Sequence, residues 1–232
     1  MAQIPLALKF ERHASFESFV AGANLAAMEH VRSIAGGGRP ESVWLAGPDG
    51  TGKTHLLAAG CRAAGDAGAG AMYLALDAGA DPAVLVGLDA VDVLALDDLD
   101  RVAGLAAWEQ ALFAVFDARL QRGGLLLAAT GRPQDCGFGL PDLVSRANAT
   151  SIYRLAPLDD RELASAVTRQ AELRGLDLDA AAASFLLQRL RRDLTELTAW
   201  LDRIDRVSLA RQRRVTIPLL REIIAAADGE AG

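Results

Sequence analysis

Lysine is nearly missing from this chain: there are two in 232 residues, Lys9 and Lys53, and arginine supplies the rest of the basic side chains. Aromatic residues are also scarce, at 5%, while about half the chain is apolar and alanine is abundant. That balance argues for helices packed on a sheet and against a β sandwich. The only cysteines, Cys61 and Cys136, stand far apart with no C-x-x-C pair, which reads as free thiols in a reducing cytosol rather than a disulfide framework. An excess of positive charge is lacking as well. The net charge of −6 argues against a whole-surface nucleic-acid binder, although arginines crowd between Arg161 and Arg221. No apolar run approaches the roughly 18 residues needed to cross a bilayer. The start, MAQIPLALKFER, is too short and too soon charged for a signal peptide. These absences lead us to expect a cytoplasmic protein with no membrane partner. Its length suits one large domain, or one medium domain and a small one.

What is present centres on residues 47–54, GPDGTGKT, which match the phosphate-binding pattern G-x-x-x-x-G-K-[ST] at every fixed position. An apolar run, Ser42 to Ala46, precedes the loop, and a helical stretch beginning His55-Leu56-Leu57 follows it. Gly47, Gly50 and Gly52 let the backbone bend so that its N–H groups face phosphate oxygens. The positive end of the following helix adds to that field. Lys53 is expected to reach the β- and γ-phosphates, and the Thr54 hydroxyl to hold Mg²⁺. One of only two lysines falls where a compact ammonium is required and a planar guanidinium is not equivalent. Candidate nucleotide-binding residues are therefore Gly47, Pro48, Asp49, Gly50, Thr51, Gly52, Lys53, Thr54 and His55, for a nucleoside diphosphate or triphosphate.

Read in order, the chain opens with Gln3-Ile4-Pro5-Leu6-Ala7-Leu8, where Pro5 favours an extended segment. Such a segment suits either a peptide laid in a partner's groove or a tail packed on its own domain. Asn24 is placed to cap a helix through Ile34. After the phosphate loop, Ala71–Leu76 and Val91–Leu96 read as buried strands, with Asp81-Pro82 opening a short helix between them. The second of these strands ends in Asp97-Asp98. Paired carboxylates ending an apolar strand suit a site in which Asp97 holds Mg²⁺ through water and Asp98 polarises the attacking water. The spacing at Trp108, Ala111, Leu112, Val115, Phe116 and Leu120 predicts an amphipathic helix to Gln121. Gly124–Thr130 is the next strand; Thr130 either senses nucleotide or simply ends it. Leu140-Pro141 opens a short helix carrying Arg146, and Ser151–Leu155 makes a fifth strand. Five strands alternating with helices predict a parallel sheet covered on both faces.

After Pro157 the pattern is helical only. Asp159-x-x-Glu162 is a capping-box start for a helix to about Arg174, ended by Gly175. Asp179, Asp193 and Thr216 open three more. This predicts an α/β nucleotide-binding domain over 10–157 and an all-α lid domain over 158–232, with residues 1–9 as an extended peptide.

The order of parts (phosphate loop, Asp-Asp, polar strand end, Ser-Arg helix, helical lid) resembles the AAA+ ATPases. Within them it is most similar to the replication-initiator branch of DnaA. GPDGTGKTHLL, VDVLALDDLD and LPDLVSR carry the likeness, which covers nearly the whole chain from Phe10. No DNA-reading helix-turn-helix is included, and the remainder resembles the Hda family, the DnaA-homologous regulatory inactivators. In that family an amino-terminal Q-L-x-L-P-L motif binds the β sliding clamp. QIPLAL is similar in type, which implies that Gln3, Ile4, Leu6 and Leu8 form such a peptide. The ending RRVTIPLLREI is also similar to that family's.

The resemblance implies DnaA and the DNA polymerase III clamp as partners, self-association, no direct sequence-specific DNA binding, and ADP as the working nucleotide. It also implies that Arg146 acts as an arginine finger on ATP held by a neighbouring DnaA; the alternative, compatible with it, is a structural ion pair with Asp142 one helical turn before, as the i, i+4 spacing allows. Two departures from the pattern bear on the chain's own hydrolysis. Thr195 stands where an AAA+ lid usually carries arginine, with Arg191 and Arg192 nearby. Gly131 stands where an aspartate often precedes Arg132. Two rival readings are a self-sufficient AAA+ ATPase such as a helicase loader, and a DnaA-like initiator without its DNA-reading domain. A third is a clamp-tethered scaffold.

Overall fold

The computed structural model describes residues 14–37, 41–119, 122–190, 194–211 and 214–230. Gln3, Ile4, Leu6 and Leu8, together with Arg191, Arg192 and Asp193, lie outside the described residues, as does the side chain of Thr195. The chain divides into two units, one ending at Ala156 and the other beginning at Pro157.

The apolar runs of the first unit become β1 (Ser42–Ala46), β2 (Ala71–Ala75), β3 (Val93–Asp97), β4 (Leu125–Ala129) and β5 (Ser151–Arg154). They form one sheet in the order β2-β3-β4-β1-β5, with every pairing parallel. Helices α1 (Leu25–Ala35), α2 (Lys53–Asp66), α3 (Ala106–Ala118) and α4 (Pro141–Asn148) cover it. Alternation along the strands sends side chains to two cores. Val43, Leu45, Leu126 and Ala128 pack with Val31 of α1 and Leu56 and Leu57 of α2. Trp44, Leu94, Leu125 and Leu127 pack with Trp108, Leu112 and Phe116 of α3 and Leu143 of α4. The predicted layering is thus the observed one.

Boundaries shifted where side chains compete for the backbone. Strand β3 begins at Val93 rather than Val91, and Asp92 just before it is engaged with Gly70 through both its N–H and its carboxylate. The Asp92 carboxylate accepts from Gly70 N–H at 2.8 Å and pairs with Arg122 at 2.8 Å, and these contacts hold it below the usual carboxylate range. Asn24 stands at the N-cap position of α1, but its side chain makes no capping bond. Its buried side-chain amide donates to the Ala156 carbonyl at 2.9 Å, and its Oδ1 accepts from the Ala156 N–H at 2.8 Å, so it ties α1 to the segment after β5. A 3₁₀ turn, Gly22–Asn24, leads into α1 instead.

The second unit is all-helical: α5 (Asp160–Glu172), α6 (Ala180–Arg189), α7 (Leu194–Arg211) and α8 (Ile217–Glu230). Asp159 and Glu162 form the predicted capping box at the start of α5, and Asp179 caps α6 through the Ala182 N–H. Leu163, Val167, Leu186, Leu201, Leu219 and Leu220 close its own core.

Candidate nucleotide-binding site

The register aligns Ala46 of β1 with Ala129 of β4, and Leu96 of β3 with Leu127 of β4. The phosphate loop, Asp97 and Thr130 therefore meet along the carboxyl edge of the sheet, where open parallel sheets bind ligands. Gly50 and Gly52 have φ of +77° and +91°, the left-handed region that other residues adopt at a cost. Gly52 is required for a second reason: a Cβ there would stand 2.7 Å from Cε2 of Phe19. Gly47, expected to bend the chain, serves by its lack of bulk instead, since a Cβ would lie 3.0 Å from both the Leu155 carbonyl and Thr51 Oγ1. The Thr51 hydroxyl fastens the loop from within by donating to the Pro48 carbonyl at 2.8 Å.

Lys53 is buried in the first turn of α2. Its ammonium donates to the carbonyls of Gly47 (2.7 Å) and Pro48 (3.0 Å), and stands 3.7 Å from Asp49. Thr54 donates its hydroxyl to Asp97 Oδ2 at 2.7 Å. Asp97 is buried and also accepts from the Tyr73 hydroxyl (2.8 Å) and the Asp98 N–H (2.9 Å). A hydroxyl and a carboxylate in contact, beside a buried ammonium in a glycine-formed cradle, are the donor set that Mg²⁺ and a polyphosphate require. The residues present fit both groups.

Asp98 is the one non-glycine residue with positive φ (+58°) among the described residues. Burial, then the neighbouring Asp97 carboxylate, holds its carboxyl above the ordinary range, and Arg101 pairs with it at 3.1 Å. Thr130 is bound by Asp100, which accepts both its N–H (3.1 Å) and its hydroxyl (2.8 Å). Nothing in its local sequence marks Asp100 for this contact. His55 follows the loop, but its side chain faces the amino-terminal segment. Nε2 lies 3.0 Å from the Ser15 carbonyl and 3.1 Å from the Ser18 hydroxyl, and the ring packs on Phe19. What His55 presents to the loop is its backbone in the first turn of α2.

Arg146 lies elsewhere. It lines a cavity of about 200 Å³ together with Glu41, Ser42, Leu125 and Ser151, residues at the amino ends of β1, β4 and β5. The phosphate loop leaves the opposite end of β1. A five-residue strand separates the two edges by about 13 Å, so Arg146 and the loop of the same chain face different ends of the sheet. The ion pair expected with Asp142 is not the one formed: Arg146 Nη2 donates to Asp117 Oδ1 at 3.0 Å. Tertiary packing gives the guanidinium a partner on α3 rather than on the preceding turn of its own helix.

Residues 159–224 match the family model described as Hda, lid domain. The likeness to that family is thus carried by the helical unit. Solved structures agree on the fold. Domain III of the Thermotoga maritima replication initiation protein DnaA superposes with TM-score 0.77 at 19% identity, over 94% of this chain and 98% of that one. AMPPCP-bound DnaA from Aquifex aeolicus gives 0.67 at 21% identity, over 84% of this chain and 65% of that one, so this chain spans just under two thirds of its length. The Thermotoga maritima RuvB Holliday junction branch migration motor gives 0.63 at 23% identity, over 94% of this chain and 73% of that one.

Three more residues shape this α/β unit without any local signal in the sequence. Glu109 of α3 is buried and accepts three backbone N–H groups: Gly104 (2.7 Å), Gly139 (2.9 Å) and Leu140 (2.7 Å). Leu140 is the residue from which α4 starts. Arg119, 1% exposed, donates to the carbonyls of Leu88, Val91, Asp92, Gly123 and Gly124, joining the amino ends of β3 and β4. Trp44 donates its indole N–H to the Gly131 carbonyl at 2.9 Å, fixing the turn after β4. No helix among the described residues is long and apolar enough to cross a membrane.

Proposed function

We propose that this protein is a negative regulator of replication initiation that stimulates hydrolysis of ATP held by DnaA. It would act together with the DNA-loaded sliding clamp. The lid match over residues 159–224 supports a place among DnaA-related replication regulators. The observation that carries the mechanism is the position of Arg146, on the sheet edge opposite its own phosphate loop and 38% exposed. A guanidinium there serves a neighbouring molecule's nucleotide rather than its own. In the neighbour's site it would stabilise charge that builds on the γ-phosphate, worth about 10³ to 10⁵ in rate for arginine fingers.

The chain's own site would hold ADP or ATP. Lys53 and the loop N–H groups would bind the phosphates, and Thr54 with Asp97 would hold Mg²⁺, which neutralises phosphate charge when bound. Asp98 would orient water. Asp100 sets the direction of Thr130, which would otherwise be free to meet a phosphate. With Thr195 at the lid position that usually carries arginine, the protein's own hydrolysis would be weak at most, and the nucleotide would act as an assembly switch. Gln3, Ile4, Leu6 and Leu8 would form the clamp-binding peptide. Self-association, a cytoplasmic location and no sequence-specific DNA contact complete the reading.

The test is ATP hydrolysis by purified DnaA with DNA-loaded clamp, titrated with this protein. Wild type should stimulate, and Arg146→Ala should lower the stimulated rate by about 10³ or more. Gln3→Ala should remove the clamp dependence. Absence of stimulation by the wild-type protein would sink the proposal, and stimulation that survives Arg146→Ala would leave only a tethering role.

A further inference from the structure

We propose that Asp117 is a positioning residue for Arg146, holding the guanidinium by one nitrogen so that its other edge is presented outward. This rests on Arg146 acting in trans, as argued above. Asp117 lies in the last turn of α3 and Arg146 two residues before the end of α4. The contact is monodentate, through Nη2 alone at 3.0 Å, and Nε and Nη1 have no partner among the described residues. A bidentate clasp would occupy the edge that a phosphate needs. A one-point hold restricts the long side chain while leaving donors available.

The platform beneath this contact is rigid. At the carboxyl end of α3, Arg119 follows Asp117 by two residues and is locked into five backbone carbonyls. One turn into the same helix, the buried Glu109 accepts the N–H groups of Gly139 and Leu140 and so sets where α4 begins. Helix α3 therefore holds the arginine-bearing helix at its start and the arginine at its tip, through two acids eight residues apart, about 12 Å along the axis. The ion pair itself is 38% and 55% exposed, too open to contribute much stability. Its use is orientation, since placing a catalytic group before encounter can matter more to rate than to binding.

The experiment is the same DnaA hydrolysis assay with loaded clamp, run as a titration of wild type, Asp117→Asn, Asp117→Glu, Arg146→Ala and the Asp117→Asn/Arg146→Ala double variant. Melting temperatures would be taken in parallel. Asp117→Asn should lower the saturating rate about 10-fold, with the half-maximal concentration and the melting temperature unchanged. Asp117→Glu should recover part of the rate, and the double variant should match Arg146→Ala alone. If Asp117→Asn leaves the plateau unchanged or raises it while Arg146→Ala abolishes it, the positioning role is overturned and the finger stands. A loss seen only as a higher half-maximal concentration would make Asp117 a docking contact and overturn it too. If Arg146→Ala retains full stimulation, the trans mechanism fails and this inference fails with it.

Discussion

Asp98 concentrates two unfavourable features at one residue: a left-handed backbone and a carboxylate crowded by burial and by Asp97. Strain of this kind persists where a site needs a group aimed in one direction. A carboxyl whose pKa is raised in the fold binds its proton more tightly folded than unfolded. Its ionisation therefore erodes stability as pH climbs from about 4, the unfolded value, through the raised folded value. Asparagine tolerates the left-handed region and carries no charge. Asp98→Asn should thus stabilise at pH 7 by on the order of 0.5 kcal/mol, the group being screened by partial exposure, or about 2 °C in thermal midpoint. The gain should fade below about pH 4, where aspartate is protonated in either state. A lower midpoint at pH 7 would show that the carboxylate is held by contacts stronger than its repulsion. The two thiols are inert by the same physics of burial, Cys61 pushed up to about 12 and Cys136 to about 11.

At the scale of elements, α3 does more than cover the sheet. Its inner stripe of Trp108, Leu112, Val115 and Phe116 joins one core, and its polar residues organise what lies beyond either end. Glu109 satisfies three partly buried backbone donors of the neighbouring loops. Glu109→Gln keeps the shape but turns one acceptor into a donor that must face an N–H. The expected cost is about 1–3 kcal/mol, a drop of roughly 3–10 °C in the melting temperature of a unit this size. Unchanged melting, measured by circular dichroism, would mean that these loops find other acceptors. The 3₁₀ turn of Pro82–Leu85 makes a contrasting case: Asp81 caps it through the Ala83 N–H, so the local signal Asp-Pro was sufficient there.

For the whole molecule, the division after Ala156 separates the two cores of the α/β unit from the core of the helical unit, with no member in common. The helical unit contains all of its own core partners, which is the requirement for independent folding. A fragment from Pro157 to the carboxyl terminus should show helical circular dichroism and a single cooperative thermal transition. A featureless, gradual melt would show that the lid needs the α/β unit to complete its core. The family match falls inside the helical unit, while the structural likeness to DnaA and RuvB extends over both.

What the sequence determined by itself was whatever depends on neighbours along the chain. The phosphate loop, the Asp97-Asp98 strand end, the capping box at Asp159 and the alternation of five apolar runs with helices all rest on spacings within a few residues. Local backbone sterics and side-chain periodicity act over that range. What only the tertiary structure decided were partnerships across long separations. Arg146 meets Asp117 at 29 residues rather than Asp142 at four, and Asp100 reaches Thr130 at 30. Asn24 reaches Ala156 at 132, so a residue placed to cap a helix became a tie between distant segments. Arg146 and Asn24 each had a local role open to them and took a distant partner instead. Once the sheet and helices close their cores, a polar group is committed to the partner that packing brings within reach, and spacing along the chain carries no record of that choice.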